Sequence, residues 1–306
     1  MADVQNVGLV GIGAMGWPMG ARLVGAGYTV HAHDAKPGQA ARFAAKVGGR
    51  DAGSLAALGA ACDVVITILP TSAIVEDVLF GQDGKDGLAA HMRKGGLIIE
   101  MSSGVPSRTV AMAPRLAAHG LTVVDAPVSG GVRRAVTGEL AIMAGGATAD
   151  VDRAEPILKP MAKAIVRTGA LGTGQAMKAL NNMVSAAGFL VGVEAMLIGS
   201  KFGLDPAVMV DVLNVSSGST NSSQVKFKPF VLTRAFNAGF GLDLMVKDLG
   251  IAMDVARETN TSAPLSALTR ELWAAGQALL GPGQDHTAIA RFAEMLANTT
   301  LGKKDD

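Results

Sequence analysis

With 306 residues, 49% of them apolar, the chain holds enough material for two domains of ordinary size and a large buried core. Its 27 basic and 26 acidic side chains give a net charge of +1 with no long run of either sign, which removes the electrostatic basis for a nucleic-acid, polyanion or anionic-membrane partner. The single cysteine, Cys62, can form no internal disulfide and sits in no metal-ligand spacing, so no metal site is expected; the N-terminus lacks the basic region and apolar core of a signal peptide, and the expected location is cytoplasmic.

Residues 7–10 form a short β-competent run, and 14–26 carry apolar and small side chains at helical spacing. Between them stands Gly11-Ile12-Gly13-Ala14-Met15-Gly16. In a strand–turn–helix setting Gly11 makes the tight turn, Gly13 lets backbone approach a pyrophosphate, and Gly16 lets the helix pack closely on the strand. The free N–H groups at the helix start then face the phosphates. By itself this spacing is a weak signal in a chain with 39 glycines. A second β run, 28–33, strengthens it by ending at Asp34, where a carboxylate meets the adenosine ribose hydroxyls and repels a 2′-phosphate, favouring NAD over NADP. Lys36 and Arg42 lie close by and soften that preference. Asp34 also reads simply as the start of the turn through Lys36-Pro37-Gly38.

Strand candidates continue at 63–69, stopped by Pro70, and at 97–101, 121–124, 140–144 and 164–166, separated by helical stretches such as 106–119 and 149–161. Such alternation is the pattern of a doubly wound α/β sheet. From Gly174 onward only helical periodicity is found, over 174–202, 206–214, 223–236, 243–259, 264–279 and 285–298. The expected division is therefore a nucleotide-binding domain over 1–168 and an all-helical domain over 169–306.

The stretch 183–199 is almost wholly apolar and contains Gly188-Phe189-Leu190-Val191-Gly192, a spacing also used by membrane helices. It falls short of the roughly 20 apolar residues that a bilayer requires and contains Glu194, which favours a buried helix in water. At its start, Lys178, Asn181 and Asn182 fall at i, i+3 and i+4 and share one helix face. An ammonium on a buried face is desolvated, which draws its pKa toward the range where it exchanges a proton with a substrate hydroxyl, and the amides orient it. The same residues also read as the solvated start of a helix. Asp125-Ala126-Pro127-Val128-Ser129-Gly130-Gly131 follows a strand, at the carboxyl end where ligands bind in open α/β sheets. Its Ser129 hydroxyl and the N–H groups of Gly130 and Gly131 can hold a carboxylate, or form an ordinary loop.

These stretches, together with Lys178-Ala179-Leu180-Asn181-Asn182 and Leu244-Met245-Val246-Lys247-Asp248-Leu249, resemble the β-hydroxyacid dehydrogenase family across nearly the whole chain. The resemblance implies a Rossmann-like domain followed by a helical one, joined by a long interdomain helix, and a homodimer or homotetramer. It implies NAD as cofactor, with NADP possible, and a small hydroxy acid or semialdehyde as substrate. Residue by residue, Lys178 becomes the general acid/base, Asn182 orients substrate, and Ser129, Gly130 and Gly131 hold its carboxylate. Gly11, Ile12, Gly13, Ala14, Met15, Gly16, Asp34, Leu69, Pro70, Ser102, Ser103 and Lys247 become the cofactor-binding set.

Two departures stand out. Arg133-Arg134 occupy positions where many relatives have small residues, and fit either a longer, doubly anionic substrate or a solvated loop. The run from Asn214 to Ser223 is rich in hydroxyls and amides, which fits a polyhydroxy acid or ordinary loop chemistry. A non-catalytic sensor that keeps the nucleotide fold is the alternative from another functional class, although it has no need of a proton shuttle.

Overall fold

The computed structural model describes residues 5–82 and 86–302. The chain divides into two compact units, one ending at Lys178 and the other starting at Ala179.

The first unit is built on strands β1 (Asn6–Val10), β2 (Thr29–His33), β3 (Arg50–Asp51), β4 (Val64–Thr67), β5 (Leu97–Glu100), β6 (Thr122–Asp125), β7 (Val128–Ser129), β8 (Leu140–Gly145) and β9 (Ala162–Gly169). Its helices are α1 (Gly16–Gly25), α2 (Gln39–Val47), α3 (Leu55–Ala61), α4 (Ser72–Phe80), α5 (Leu88–His91), α6 (Pro106–Ala118), α7 (Gly131–Thr137) and α8 (Thr148–Leu158). Strands run parallel in the order β3-β2-β1-β4-β5-β6. The end of β6 and the short β7 then pair antiparallel with β8, whose other side takes β9 in parallel.

Helices on both faces explain the central sequences. Val64–Thr67 and Leu97–Glu100 are buried at every position, as strands covered on both sides must be. Alternate residues serve opposite cores. Val7, Leu9, Ile66 and Ile99 pack with Met19, Leu23, Phe43 and Ile157, whereas Val10, Val65 and Ile98 pack with Leu58, Leu79, Leu88 and Leu116. Thr71 and Ser54 cap α4 and α3 through their hydroxyls, and Pro106 opens α6 where its missing N–H costs nothing. Cys62 is buried, and desolvation pushes its thiol up to about 12, the state of an inert packing residue.

Helix α9 (Thr173–Phe202) is continuous, and by length and composition alone it is long enough to cross a membrane. One face of it is packed within the second unit, where Ala186, Phe189, Val193 and Met196 are fully buried. The unit also contains α10 (Pro206–Asn214), α11 (Asn221–Val225), α12 (Leu242–Glu258), α13 (Pro264–Leu280) and α14 (Ile289–Ala297). Phe189 makes edge contacts with Phe227 and Trp273 at 5.3 and 6.0 Å between ring centroids, and the Trp273 indole donates to the carbonyl of Ala186 at 3.3 Å.

The helix expected over 223–236 is broken into α11 and a wider π turn, Phe227–Leu232. Pro229 explains the break, because it has no N–H to give and its ring collides with the preceding turn. Arg133 and Arg134 sit exposed in the first turns of α7 rather than in a loop. Within the polar run from Asn214 to Ser223, Thr220 and Ser223 bond reciprocally as a cap at the start of α11.

Candidate functional site

The glycine turn joins β1 to α1. Gly11 has φ +99°, open to glycine at little cost, and a Cβ there would meet the carbonyl oxygen of Ile68 at 2.3 Å. A Cβ on Gly16 would meet the Gly11 carbonyl oxygen at 1.9 Å, so this glycine sets the closeness of helix to turn. Gly13 differs from both. A Cβ built on it has no protein atom within 4 Å, and Gly13 and Ala14 are exposed. Met15 precedes α1 without any side-chain cap; the Trp17 N–H bonds the Gly13 carbonyl at 3.0 Å and Pro18 has no N–H, so the N–H groups that can face a ligand here are those of the turn up to Gly16. Asp34, at the end of β2, is half-buried. Its Oδ2 accepts the N–H of Ile12 at 2.7 Å and its Oδ1 the N–H of Lys36 at 2.8 Å. A carboxylate has lone pairs beyond these two, so ribose hydroxyls remain within its capacity. A turn with open space over Gly13, a helix start without a side-chain cap and an acceptor at the next strand end fits a dinucleotide.

The neighbouring strand ends complete this rim. Ser102, after β5, accepts the N–H of Leu69, after β4, through its hydroxyl at 2.8 Å. Pro70 and Ser103 occupy the same two loops, Pro70 exposed and Ser103 half-buried.

Beneath the rim lies a polar network that the sequence reading missed. Thr67, Glu100 and Asp125 are register partners across β4, β5 and β6, and all three are buried. Glu100 Oε1 accepts from the backbone N–H of Ser102 at 2.9 Å and the Thr67 hydroxyl at 3.3 Å. Its Oε2 accepts from the Gln175 amide at 2.6 Å. Asp125 receives the N–H groups of Gly172 at 2.8 Å and Gln175 at 2.7 Å, which satisfies donors at the start of α9 that the helix itself cannot pair. Burial pushes Glu100 up to about 7, against hydrogen bonds from Ser102 and Thr67 that favour its charged form. Burial likewise lifts Asp125 to about 6, against the N–H groups of Gly172 and Gln175. The only signal in the sequence was the acidic residue closing each of two apolar runs.

Lys178 follows one turn later on α9, 8% exposed. Ser129 ends β7 half-buried, and Gly130 (φ +132°) and Gly131 (φ +65°) turn the backbone into α7 in conformations that a side chain would strain. Asn182 and Lys247 belong to the second unit, where Asn182 is buried and donates to Asp248 Oδ2 at 2.6 Å. Asp248 Oδ1 lies 3.4 Å from the Lys247 ammonium, and Asn181 donates to Asn182 Oδ1 at 3.2 Å. Asp248, 1% exposed, therefore helps to hold Asn182, and the sequence shows it only as part of a motif. Among the described residues no group of three or more His, Cys, Asp and Glu is placed to hold a metal.

Residues 6–169 match the family profile for the NAD binding domain of 6-phosphogluconate dehydrogenase, and residues 172–293 that for NAD-binding of NADP-dependent 3-hydroxyisobutyrate dehydrogenase. The chain is 34% identical to 2-(hydroxymethyl)glutarate dehydrogenase of Eubacterium barkeri, covering 97% of each. It is 35% identical to L-threonate dehydrogenase of Cupriavidus necator, covering 94% of this chain and 96% of that protein. In three dimensions it resembles Mycobacterium tuberculosis 3-hydroxyisobutyrate dehydrogenase, solved with L-serine, at TM-score 0.85 and 34% identity over 95% of this chain and 99% of that one.

Proposed function

The chain belongs to the β-hydroxyacid dehydrogenase family, and from that premise we propose that it is a cytoplasmic oxidoreductase interconverting a small 3-hydroxy acid and its semialdehyde, with Lys178 as general acid/base. The observation that carries this reading is Lys178 itself, buried on α9 one turn beyond a helix start tied to the strand ends of a nicotinamide-nucleotide domain. A structural lysine is seldom buried to this degree, because desolvating the charge is costly. The named substrates of the relatives, and L-serine, are all carboxylic acids with a hydroxyl on the β carbon. That common chemistry defines the substrate class.

In this reading Gly11, Ile12, Gly13, Ala14, Met15 and Gly16 hold the pyrophosphate, Asp34 holds the adenosine ribose, and Leu69, Pro70, Ser102, Ser103 and Lys247 line the rest of the cofactor. When bound, the nicotinamide supplies hydride acceptance in one direction and donation in the other. The chain's own residues manage binding and protons. Ser129, through its hydroxyl, and Gly130 and Gly131, through their N–H groups, hold the substrate carboxylate. Lys178 as the free amine removes the proton from the substrate hydroxyl oxygen during oxidation, and as the ammonium returns it during reduction. Asn182, held by Asp248, orients the hydroxyl. We further infer a homo-oligomer: Val184, Val191 and Ile198 recur every seven residues on α9, and they and Phe202 are exposed, as in a helical seam awaiting its copy.

The test is the initial rate of NAD or NADP reduction over 3-hydroxyisobutyrate, glycerate, threonate, serine, 2-(hydroxymethyl)glutarate and 4-hydroxybutyrate. The reading expects turnover of a β-hydroxy acid and none of 4-hydroxybutyrate, whose hydroxyl is one carbon further out. Bound cofactor with no turnover on any acid, and none on the semialdehydes with reduced cofactor, contradicts it.

A further inference from the structure

The buried network under the cofactor rim contains one residue that bonds both of its carboxyl groups, Glu100 through its side chain and Asp125 through its backbone. Gln175 uses both hydrogens and the oxygen of its carboxamide: Nε2 donates to Glu100 Oε2 at 2.6 Å and to the Ser102 carbonyl at 2.8 Å, while Oε1 accepts the Gly104 N–H at 2.7 Å. Its backbone N–H goes to Asp125. A carboxamide so engaged has a single satisfied orientation, since rotating it by half a turn would set donor against donor and acceptor against acceptor. The residue is 1% exposed, so no water replaces these partners from outside.

Three features make this more than a buried hydrogen-bond cluster. Gln175 lies in the first turn of α9, and Lys178 three residues later is its neighbour on the same helix face. The first turn of a helix is where its N–H groups lack internal partners and where it frays, yet here Asp125 takes two of them. The partners of the carboxamide come from the loop that carries Ser102 and Ser103, the residues set at the cofactor rim. A single residue thus ties the cofactor loop and the end of β5, through its side chain, and the end of β6, through its backbone N–H, to the lysine helix.

We propose that Gln175, bridging Glu100 and Asp125, is a positioning residue for Lys178, fixing the rotation and depth of its helical turn relative to the cofactor loop. The consequence for rate is direct, because misplacing a reacting group by about 1 Å costs up to about 10²-fold. The role of Lys178 in it rests on the dehydrogenase reading, whereas the mechanical coupling from Gln175 to Lys178 does not.

The test compares Gln175→Met, which keeps volume but removes the carboxamide, with Glu100→Leu and Glu100→Gln. Two quantities are read in each: steady-state constants, and the rate at which acetic anhydride labels Lys178, measured by mass spectrometry against exposed Lys46. In Gln175→Met and Glu100→Leu, kcat is expected to fall at least 30-fold while the hydroxy-acid KM and the cofactor Kd stay within threefold, and Lys178 labelling changes at least threefold. Glu100→Gln keeps a carbonyl oxygen for Gln175 but sets its NH2 group against the Ser102 N–H, and its loss of kcat is expected to be smaller than that of Glu100→Leu. If Gln175→Met fails to give a native circular dichroism spectrum, the two Glu100 variants decide. Unchanged Lys178 labelling in a folded Gln175→Met or Glu100→Leu protein overturns the proposal even where the wild type is active. A wild type inactive on every acid, with labelling still altered, overturns the dehydrogenase reading and leaves the coupling standing.

Discussion

Asp34 Oδ2 accepts the N–H of Ile12 at 2.7 Å, so the residue that closes β2 also shapes the glycine turn between β1 and α1. The two roles separate by substitution. Asp34→Asn keeps a carbonyl oxygen for Ile12 but loses the negative charge and the acceptor of the Lys36 N–H; affinity for NAD is expected to fall about 3- to 30-fold and that for NADP to rise relative to it. Asp34→Ala also releases the turn and weakens both cofactors. Fluorescence titration with the two reduced cofactors checks this, and an unchanged preference in Asp34→Asn would remove Asp34 from the adenosine site.

Gly13 and Gly16 are predicted to fail in different ways. A methyl group on Gly13 meets no protein atom within 4 Å, whereas one on Gly16 is driven to 1.9 Å from the Gly11 carbonyl oxygen. Gly13→Ala should therefore leave the melting temperature within about 3 °C, a change of roughly 1 kcal/mol, while dinucleotide affinity falls at least about tenfold, or roughly 1.4 kcal/mol. Gly16→Ala should lower both. Calorimetry beside cofactor titration separates the two, and normal cofactor binding in Gly13→Ala would contradict the placement of the pyrophosphate.

Stability should decline as the pH rises toward neutrality. Glu100 is lifted to about 7 and Asp125 to about 6 in the folded chain, from ordinary values of 4.5 and 3.8. The folded state therefore holds these protons more firmly than the unfolded one. The contribution is fully present below the unfolded values and is lost as the pH rises through 6 to 7. Between pH 5 and 7.5 the melting temperature is expected to drop by on the order of 3–6 °C. Glu100→Gln should flatten that slope. A melting temperature that instead climbs over this interval would mean that the carboxyls are stabilised as anions.

Asp248 is predicted to act through Asn182. Removing its carboxylate leaves the Asn182 amide without the 2.6 Å bond that fixes it. Asp248→Ala should cut kcat/KM about 10- to 100-fold through misorientation and cost about 1–3 kcal/mol of stability from the lost buried hydrogen bond to a charged group. Kinetics and urea unfolding on the same preparation check both, and a loss confined to stability would remove Asn182 from substrate orientation.

Much of the first unit was legible in the sequence because its signals are local. Continuous apolar runs bounded by turns gave the central strands, and Gly11, Gly13 and Gly16 announced their turn by spacing. The helices expected over 206–214 and 106–119 were equally plain, each opened by proline. What escaped depends on partners far apart in the chain. Glu100 and Gln175 are 75 positions apart and meet only once the sheet is assembled. Asn182 and Asp248 are 66 positions apart, so the motif containing Asp248 could be quoted without its bond being seen. The short strand β7 and helix α7 also went unread, because two and seven residues carry too little periodicity to register. At 223–236 apolar spacing outvoted Pro229, and the local breaker prevailed.

The most direct measurement is steady-state turnover of the wild type and Lys178→Ala on its best 3-hydroxy acid, with cofactor affinity measured on both proteins. Lys178 as general acid/base predicts a loss of about 10²- to 10⁴-fold in kcat, with the cofactor Kd unchanged within about threefold, a shift of roughly 0.7 kcal/mol. Turnover that survives the substitution within a few-fold would contradict the assignment of the proton transfer to Lys178.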